Sequence, residues 1–513
     1  MRPTALGSLT ATVALVFAAA VLAVPPASAT VIEVPSEQTS IAAGIAAASP
    51  GDTVRVACDT YYESGLVISS AITLTSATNN WDCVTIDGEA TDTILTLTDA
   101  SGAAVRGINF TNGAALFSAG VYVDSCDVEF LDCRFYSNNA EVEGGGLRYR
   151  YGNPNISYCD FVSNNASDRG GNLALYGTGG YVMHCQLSGG TAEWGGGACV
   201  RGEATTEFQF CQFTSNEASG DEGYGGGFYC GNQAAPSLMW CTFYQNSSGL
   251  CGGGAASDGN CLPVFTNCTF TENTAQWGGG LFAREPLAGT IYECYFTRNE
   301  ALGGGGVMIE SASNLPISDC WFEGNVAAEA GGGVLLEGCS EGEGVFVSTF
   351  TGNTALVGGG IAAHDCTVAT LAGNCTLVLN EALGQRGSGA GIAVSGGSPT
   401  EISKCIVAFS TLGTALYCES GAAVTADVCA VFGNEGGDWV DCLSGQETLM
   451  DNSDADPLFC DLFDWDYHLC ENSYCHYENN EPLVQIGAHE VQCDTCYSPV
   501  ETRSWGSIKS LYR

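Results

Sequence analysis

The sequence predicts an all-β protein wound into a single-stranded right-handed parallel β-helix, a solenoid of about 26 residues per coil. Three observations carry that expectation. A phrase of the form Cys-x-Phe-x-x-Asn-x-Ala recurs over more than half of the chain, as in CTFTENTA at 268–275. A glycine triplet follows the phrase at about the same remove, as at 278–280. An apolar residue then resumes beyond the glycines, as Leu281, Val307 and Val334 do.

Aligned on its cysteine, the phrase begins at Cys133, Cys159, Cys185, Cys211, Cys241, Cys268, Cys294 and Cys320, has Ser348 in the next place, and continues at Cys375 and Cys405, in steps of 26 to 30 residues. As far as the Cys375 repeat, two residues on stands a phenylalanine or leucine, and five on stands an asparagine, a column that only Gly190 breaks. Residues two apart share one side of a strand, so Cys and Phe point together into a core. The apolar residue three before the cysteine, such as Phe265, Ile291 or Ile317, also wants the interior. Period two fails between those positions, so the chain must bend there. Asparagine tolerates left-handed backbone and suits a second corner, and the glycine triplet permits a third. One repeat is therefore three short strands and three turns, which bury their apolar side only by stacking on copies of themselves about 4.8 Å away. A coil of this length fits the right-handed helix better than the left-handed hexapeptide kind.

The ends read differently. Residues 1–29 have the form of an export signal, with Arg2, an apolar run at 11–24 and Ala27-Ser28-Ala29 before a mature start at Thr30. Residues 30–54 form an N-terminal cap with a short amphipathic helix, 55–435 the repeats, 436–497 a Cys-rich C-terminal cap, and 498–513 a basic tail holding Arg503, Lys509 and Arg513. No stretch after the signal is long and apolar enough for a membrane span. The expectation is an exported, bacterial-type extracellular or cell-surface protein.

Charge and cysteine content narrow the chemistry. With 57 acidic and 15 basic residues, the net charge of -42 opposes nucleic acid and polyuronates and leaves neutral glycans or cell-surface components as partners. In-register ladder cysteines keep their Cβ atoms near the coil spacing, beyond the usual disulfide range, so those thiols should stay free and buried. Cys470, Cys475, Cys493 and Cys496 have spacings that could hold a structural zinc, but an oxidising compartment favours disulfides. No cofactor or metal is assigned.

The phrase FTENTAQWGGGL at 270–281 resembles the repeats of chlamydial polymorphic outer-membrane proteins and of the pectin-lyase-like right-handed β-helix superfamily, over roughly residues 105 to 415. The resemblance implies the fold, and it brings in pectate lyases, pectinesterases and polygalacturonases as possible activities. Departures count against them. Only Lys404 and Lys509 are available as lysines, and neither an Asp-Asp pair nor the Asn-Thr-Asp and Arg-Ile-Lys signatures of polygalacturonases occur. The histidines at 184, 364, 468, 476 and 489 show no triad spacing.

The reading is thus a non-enzymatic scaffold or adhesin, with a carbohydrate-active β-helix enzyme, either a glycoside hydrolase or a polysaccharide lyase, as the alternative. Tyr295 and Trp321 follow ladder cysteines on adjacent coils and should face out as a stacked pair. Asn267, Glu293 and Asp319 precede the same cysteines, and Tyr158, Phe210 and Trp240, with His184 between, extend an aromatic column. Rings beside carboxylates and amides suit a sugar. If the protein is an enzyme, Glu293 and Asp319 are the expected catalytic pair, near enough for a retaining arrangement.

Overall fold

The computed structural model describes residues 29–496, apart from 287, 313, 341–342, 385–387, 398, 420 and 463. All but the last residue of the expected export signal, and the basic tail with Arg503, Lys509 and Arg513, lie outside the described residues. Three parallel sheets of 16, 15 and 14 strands run the length of the molecule, each coil contributing one strand to each. One coil shows the plan: Thr290–Tyr292 in the first sheet, Tyr295–Thr297 in the second and Val307–Glu310 in the third. Pairing is in register, so Phe270 lies beside Phe296 and Phe296 beside Phe322.

That register builds the core. Phe213, Phe243, Phe270, Phe296, Phe322 and Phe350 form one stack inside the second sheet, with successive ring centroids 4.5 to 4.9 Å apart and planes within 7°. The ladder thiols pack beside them as small apolar groups, each near a carbonyl of the preceding coil, as Cys294 Sγ lies 3.6 Å from Phe265 O.

The corners hold one correction. Left-handed backbone occurs directly before the cysteine, as expected for a bend there, at Phe210 (φ 53°) and Glu293 (φ 51°). At the second corner it falls on the residue before the asparagine, such as Glu272 or Arg298, and not on the asparagine. The asparagines are instead fully buried rungs of an amide ladder. Asn299 Nδ2 donates to Phe270 O and to Asn325 Oδ1, each at 2.9 Å, while its Oδ1 accepts from the backbone N–H of Asn273 and from Asn273 Nδ2. The carboxamide has both donors and acceptors in one plane, so one residue type can serve successive coils.

Gly190 does not interrupt this ladder. Asn172, which stands where the preceding coil has the third glycine of its triplet, sends its side chain into the vacant rung. It accepts from Asn164 Nδ2 at 2.9 Å and donates to Asn216 Oδ1 at 3.1 Å. A Cβ at Gly190 would lie 2.4 Å from Asn172 Nδ2, so the two exceptions are one exchange of places. At the third corner, Gly278 has φ +62°, and a Cβ on Gly280 would sit 2.5 Å from Gly306 O, so a larger residue there requires the neighbouring backbone to shift.

Both ends are covered. The helix Ile41–Ala47 is capped by Ser40 Oγ, which accepts from Ala43 N, and the Glu63 carboxylate takes the N–H groups of Ile41 and Ala42. At the other end the Gln446 side chain satisfies Val424 O and Ala426 N of the last first-sheet strand. The Cys-rich region then departs from a simple plug. It turns back and lies on the outer face of the second sheet, burying Phe459, Leu469 and Ile486 against Val378, Ile406 and Ala430. The last coils carry apolar residues at these outward positions, and they need that cover.

Disulfides join Cys58 to Cys83, Cys418 to Cys442, Cys460 to Cys493 and Cys470 to Cys496. Of the four tail cysteines read from spacing, Cys475 is a buried thiol, pushed up to about 12 by that burial, and the other three are bridged.

Two expectations follow. Asn172→Gly removes two amide contacts from a dry ladder and should cost about 1 to 3 kcal/mol in a denaturant titration, while Phe270→Ala should cost about 3 to 5 and Thr269→Ala under about 0.5. In non-reducing mass mapping, Cys133 to Cys320 should be recovered as thiols and the four bridges as pairs; disulfides down the ladder would contradict the packing.

Candidate functional site

The residue before each ladder cysteine sits at a left-handed corner and points outward, so successive coils set these side chains in a line. Tyr158, His184, Phe210 and Trp240 stack there, with ring centroids 4.9, 4.9 and 5.0 Å apart and planes within 13°. Tyr158, Phe210 and Trp240 are 57, 44 and 48 % exposed. Parallel rings touch at about 3.5 Å. A centroid step near 5 Å therefore means that each ring overlaps the next only in part, and each shows a strip of its face. Left-handed backbone costs a residue of this kind about 1 to 2 kcal/mol, which the stacking offsets. Beside the line run the exposed amides of Gln186 and Gln212, in register on the second sheet.

Asn267, Glu293 and Asp319 continue the same line on the next coils. The Asp319 carboxyl is held above the usual range, first by burial and then by the charge of Glu293. The Tyr292 phenol is also raised, through its hydrogen bond to Glu293 and that group's charge.

Tyr295 is exposed, but the expected pair with Trp321 does not form. Trp321 is half-buried under the C-terminal region, its ring 5.9 Å from Tyr467 and 5.8 Å from His489. The cause lies in the apolar outer face of the late coils, which the returning chain covers. That return also assembles residues the sequence reading left apart. His489 Nε2 lies 2.8 Å from Thr349 Oγ1, and His468 Nδ1 lies 2.7 Å from Asp466 Oδ1, with the two imidazoles 5.2 Å apart. Burial, and then the neighbouring His468, lower the His489 imidazole to about 4.

A second line was missed, although its signal was present. The residue before each glycine triplet and the second residue after it meet on the outer face of the third sheet, where Trp194, Tyr224, Tyr229, Trp277, Phe282 and Met308 fill a groove. Where Ala330, Val357, Ala362 and Ala393 take those places, the groove opens into a cavity of about 360 Å³ edged by His364, Ser395, Tyr417 and Glu419.

With the fold and these lines of side chains established, the molecule is a right-handed parallel β-helix protein. The family described as Right handed beta helix region matches residues 222–376. Among solved structures, the chain is similar to tailspike protein 3 of bacteriophage CBA120 (13 % identity, 76 % of this chain and 59 % of that one, TM-score 0.39). It is also similar to a mannuronic acid-specific family 6 polysaccharide lyase from the human gut microbiota (13 %, 72 % and 78 %, 0.34). The pectate lyase Pel9A aligns at 10 % identity over 57 % of this chain and 78 % of its own, with a TM-score of 0.31. These likenesses concern the backbone fold. No curated protein matches the sequence.

The His489 site makes stability depend on pH. The unfolded imidazole takes its proton near 6.5 and the folded one only near 4, so its contribution is complete above about pH 6.5 and is lost as pH falls towards 4. The loss should reach up to about 3 kcal/mol and should shrink in His489→Gln, read by denaturant titrations across that range.

Proposed function

We propose that the protein is an exported, surface-displayed β-helix scaffold of adhesin type that binds neutral glycans along the Tyr158–Trp240 line. The observation that carries this reading is the exposed offset stack, with steps of 4.9 to 5.0 Å. It offers a ribbon of partly bared ring faces on a backbone too rigid to collapse around itself. Sugar C–H faces pack on such strips, while the amides of Gln186 and Gln212 lie within the same surface to receive hydroxyls. A net charge of -42 disfavours anionic polymers and leaves uncharged ones as ligands.

A carbohydrate-active enzyme is the second reading, favoured by one feature, the raised Asp319 carboxyl beside Glu293. A carboxyl whose proton affinity is raised beside a second carboxyl is the direction that general-acid cleavage of a glycosidic bond requires.

Calorimetry with neutral oligosaccharides tests the first reading. Phe210→Ala combined with Trp240→Ala should weaken binding at least about tenfold in a variant that stays folded, with a melting temperature lowered only by the lost stacking. Unchanged affinity in a folded variant would discard the site. Product release from a glycan that persists in Glu293→Gln would discard that pair as the catalytic groups, while its loss there would establish the second reading.

A further inference from the structure

We propose that Cys460, Cys470, Cys493 and Cys496 form a redox-gated tetrathiolate site for a zinc-class divalent cation. Cys460 lies on the strand Phe459–Asp461 and Cys470 ends its antiparallel partner Asp466–Cys470. Cys493 ends the third strand, Val491–Cys493, and Cys496 follows three residues later. The small sheet thus delivers two cysteines from its hairpin and two from a Cys-x-x-Cys segment to one point.

The two bridges are in contact with one another. Cys493 Sγ lies 3.3 Å from Cys470 Sγ and 3.8 Å from Cys496 Sγ, neither of which is its bonded partner. The sulfurs of Cys460, Cys470 and Cys493 all fall within 4.8 Å of each other. Four sulfurs bound tetrahedrally to zinc at about 2.3 Å stand about 3.8 Å apart, so the 3.3 and 3.8 Å contacts of Cys493 are near that spacing, and Cys496, outside the close group of three, would complete the set once its bridge is reduced. An all-sulfur set selects zinc-class ions over calcium or magnesium. Cys475, which spacing alone would have enlisted, is buried elsewhere, against the late coils.

The chemistry balances as follows. Each disulfide takes two electrons and two protons from a dithiol reductant, which leaves as its own disulfide, and four thiols result. The cation then forms four sulfur bonds and displaces four protons to water. Either state ties the same strands together, so the region that covers Trp321 stays pinned whether oxidised or metal-loaded. Protonation of the thiols should weaken the metal form at low pH.

The test uses the whole protein, reduced with a phosphine, freed of reductant without air, and titrated with cobalt(II). About one equivalent should bind with sulfur-to-cobalt charge-transfer bands and the visible bands of a tetrahedral ion, and zinc should displace it. The untreated protein should bind none. Cys460→Ser with Cys496→Ser should cut the signal at least about tenfold, which separates this cluster from the ladder thiols, whereas Cys475→Ser should keep it, which separates it from the nearby buried thiol. Zinc should also raise the melting temperature of the reduced protein. Uptake below about a tenth of an equivalent, equal uptake by the double variant, or no rise in melting temperature would each overturn the proposal.

Discussion

In-register parallel pairing is the constraint from which the rest of this structure follows. When each coil lies directly on the last, a side chain meets its own equivalent about 4.8 Å away, and only residues that tolerate a copy of themselves can fill a column. Phenylalanine does so by stacking, asparagine by offering donor and acceptor together, and cysteine by packing as a small apolar group whose sulfur rests on a carbonyl of the preceding coil, except at Cys58 and Cys83, where two copies are bridged. The Asn172 and Gly190 exchange shows how strict the demand is. Where the coil's own asparagine is missing at Gly190, an amide fills the ladder position from a different part of the coil.

The same rule makes charge expensive. A column of carboxylates repels itself, and a chain with 57 acidic and 15 basic residues has few cations to intersperse. Where cations occur they are placed in register with acids. Arg284 makes two hydrogen bonds, 2.9 and 3.1 Å, to Asp258 on the neighbouring coil, and Glu143 accepts from Arg148, Arg169 and Arg201 on the third-sheet side. Beyond Arg284 the column continues as Glu310 and Glu337, and the Glu310 carboxyl is raised, mainly by burial and in part by Glu337. Acids on successive coils therefore compete for protons, and Glu293 with Asp319 is one instance of a general feature of this surface.

The columns were legible because a repeated phrase states the same fact many times. Inward and outward positions, the bend before the cysteine, the free ladder thiols and the aromatic line from Tyr158 to Trp240 all follow from period and offset. The corner role given to asparagine failed because local preference for left-handed backbone was weighed without the ladder bonds that only a neighbouring coil supplies. The Trp321 assignment failed for a longer-range reason. Its exposure depends on a segment that returns after more than 100 residues, as the Thr349 to His489 contact does across 140. Apolar outward residues such as Ile406 and Ala408 were the available signal, since nothing in a free-standing coil explains them.

A solenoid surface also limits what kind of site it can carry. Strands in register present lines, not converging walls, so a pocket arises only where a column changes size or where another segment lies across the coils. The first happens where Trp277 and Phe282 give way to Ala330 and Ala362, and the second at the end of the coils, where Glu435, Val440 and Asp441 lie beside Ala382, Leu412 and Gly413. Glu293 and Asp319 lie on an open line with neither device around them, and the partial burial that raises Asp319 still leaves its side chain exposed. General-acid chemistry gains most where water is excluded. Extended binding along exposed rings needs no such enclosure, and for that reason the geometry weighs toward recognition over catalysis.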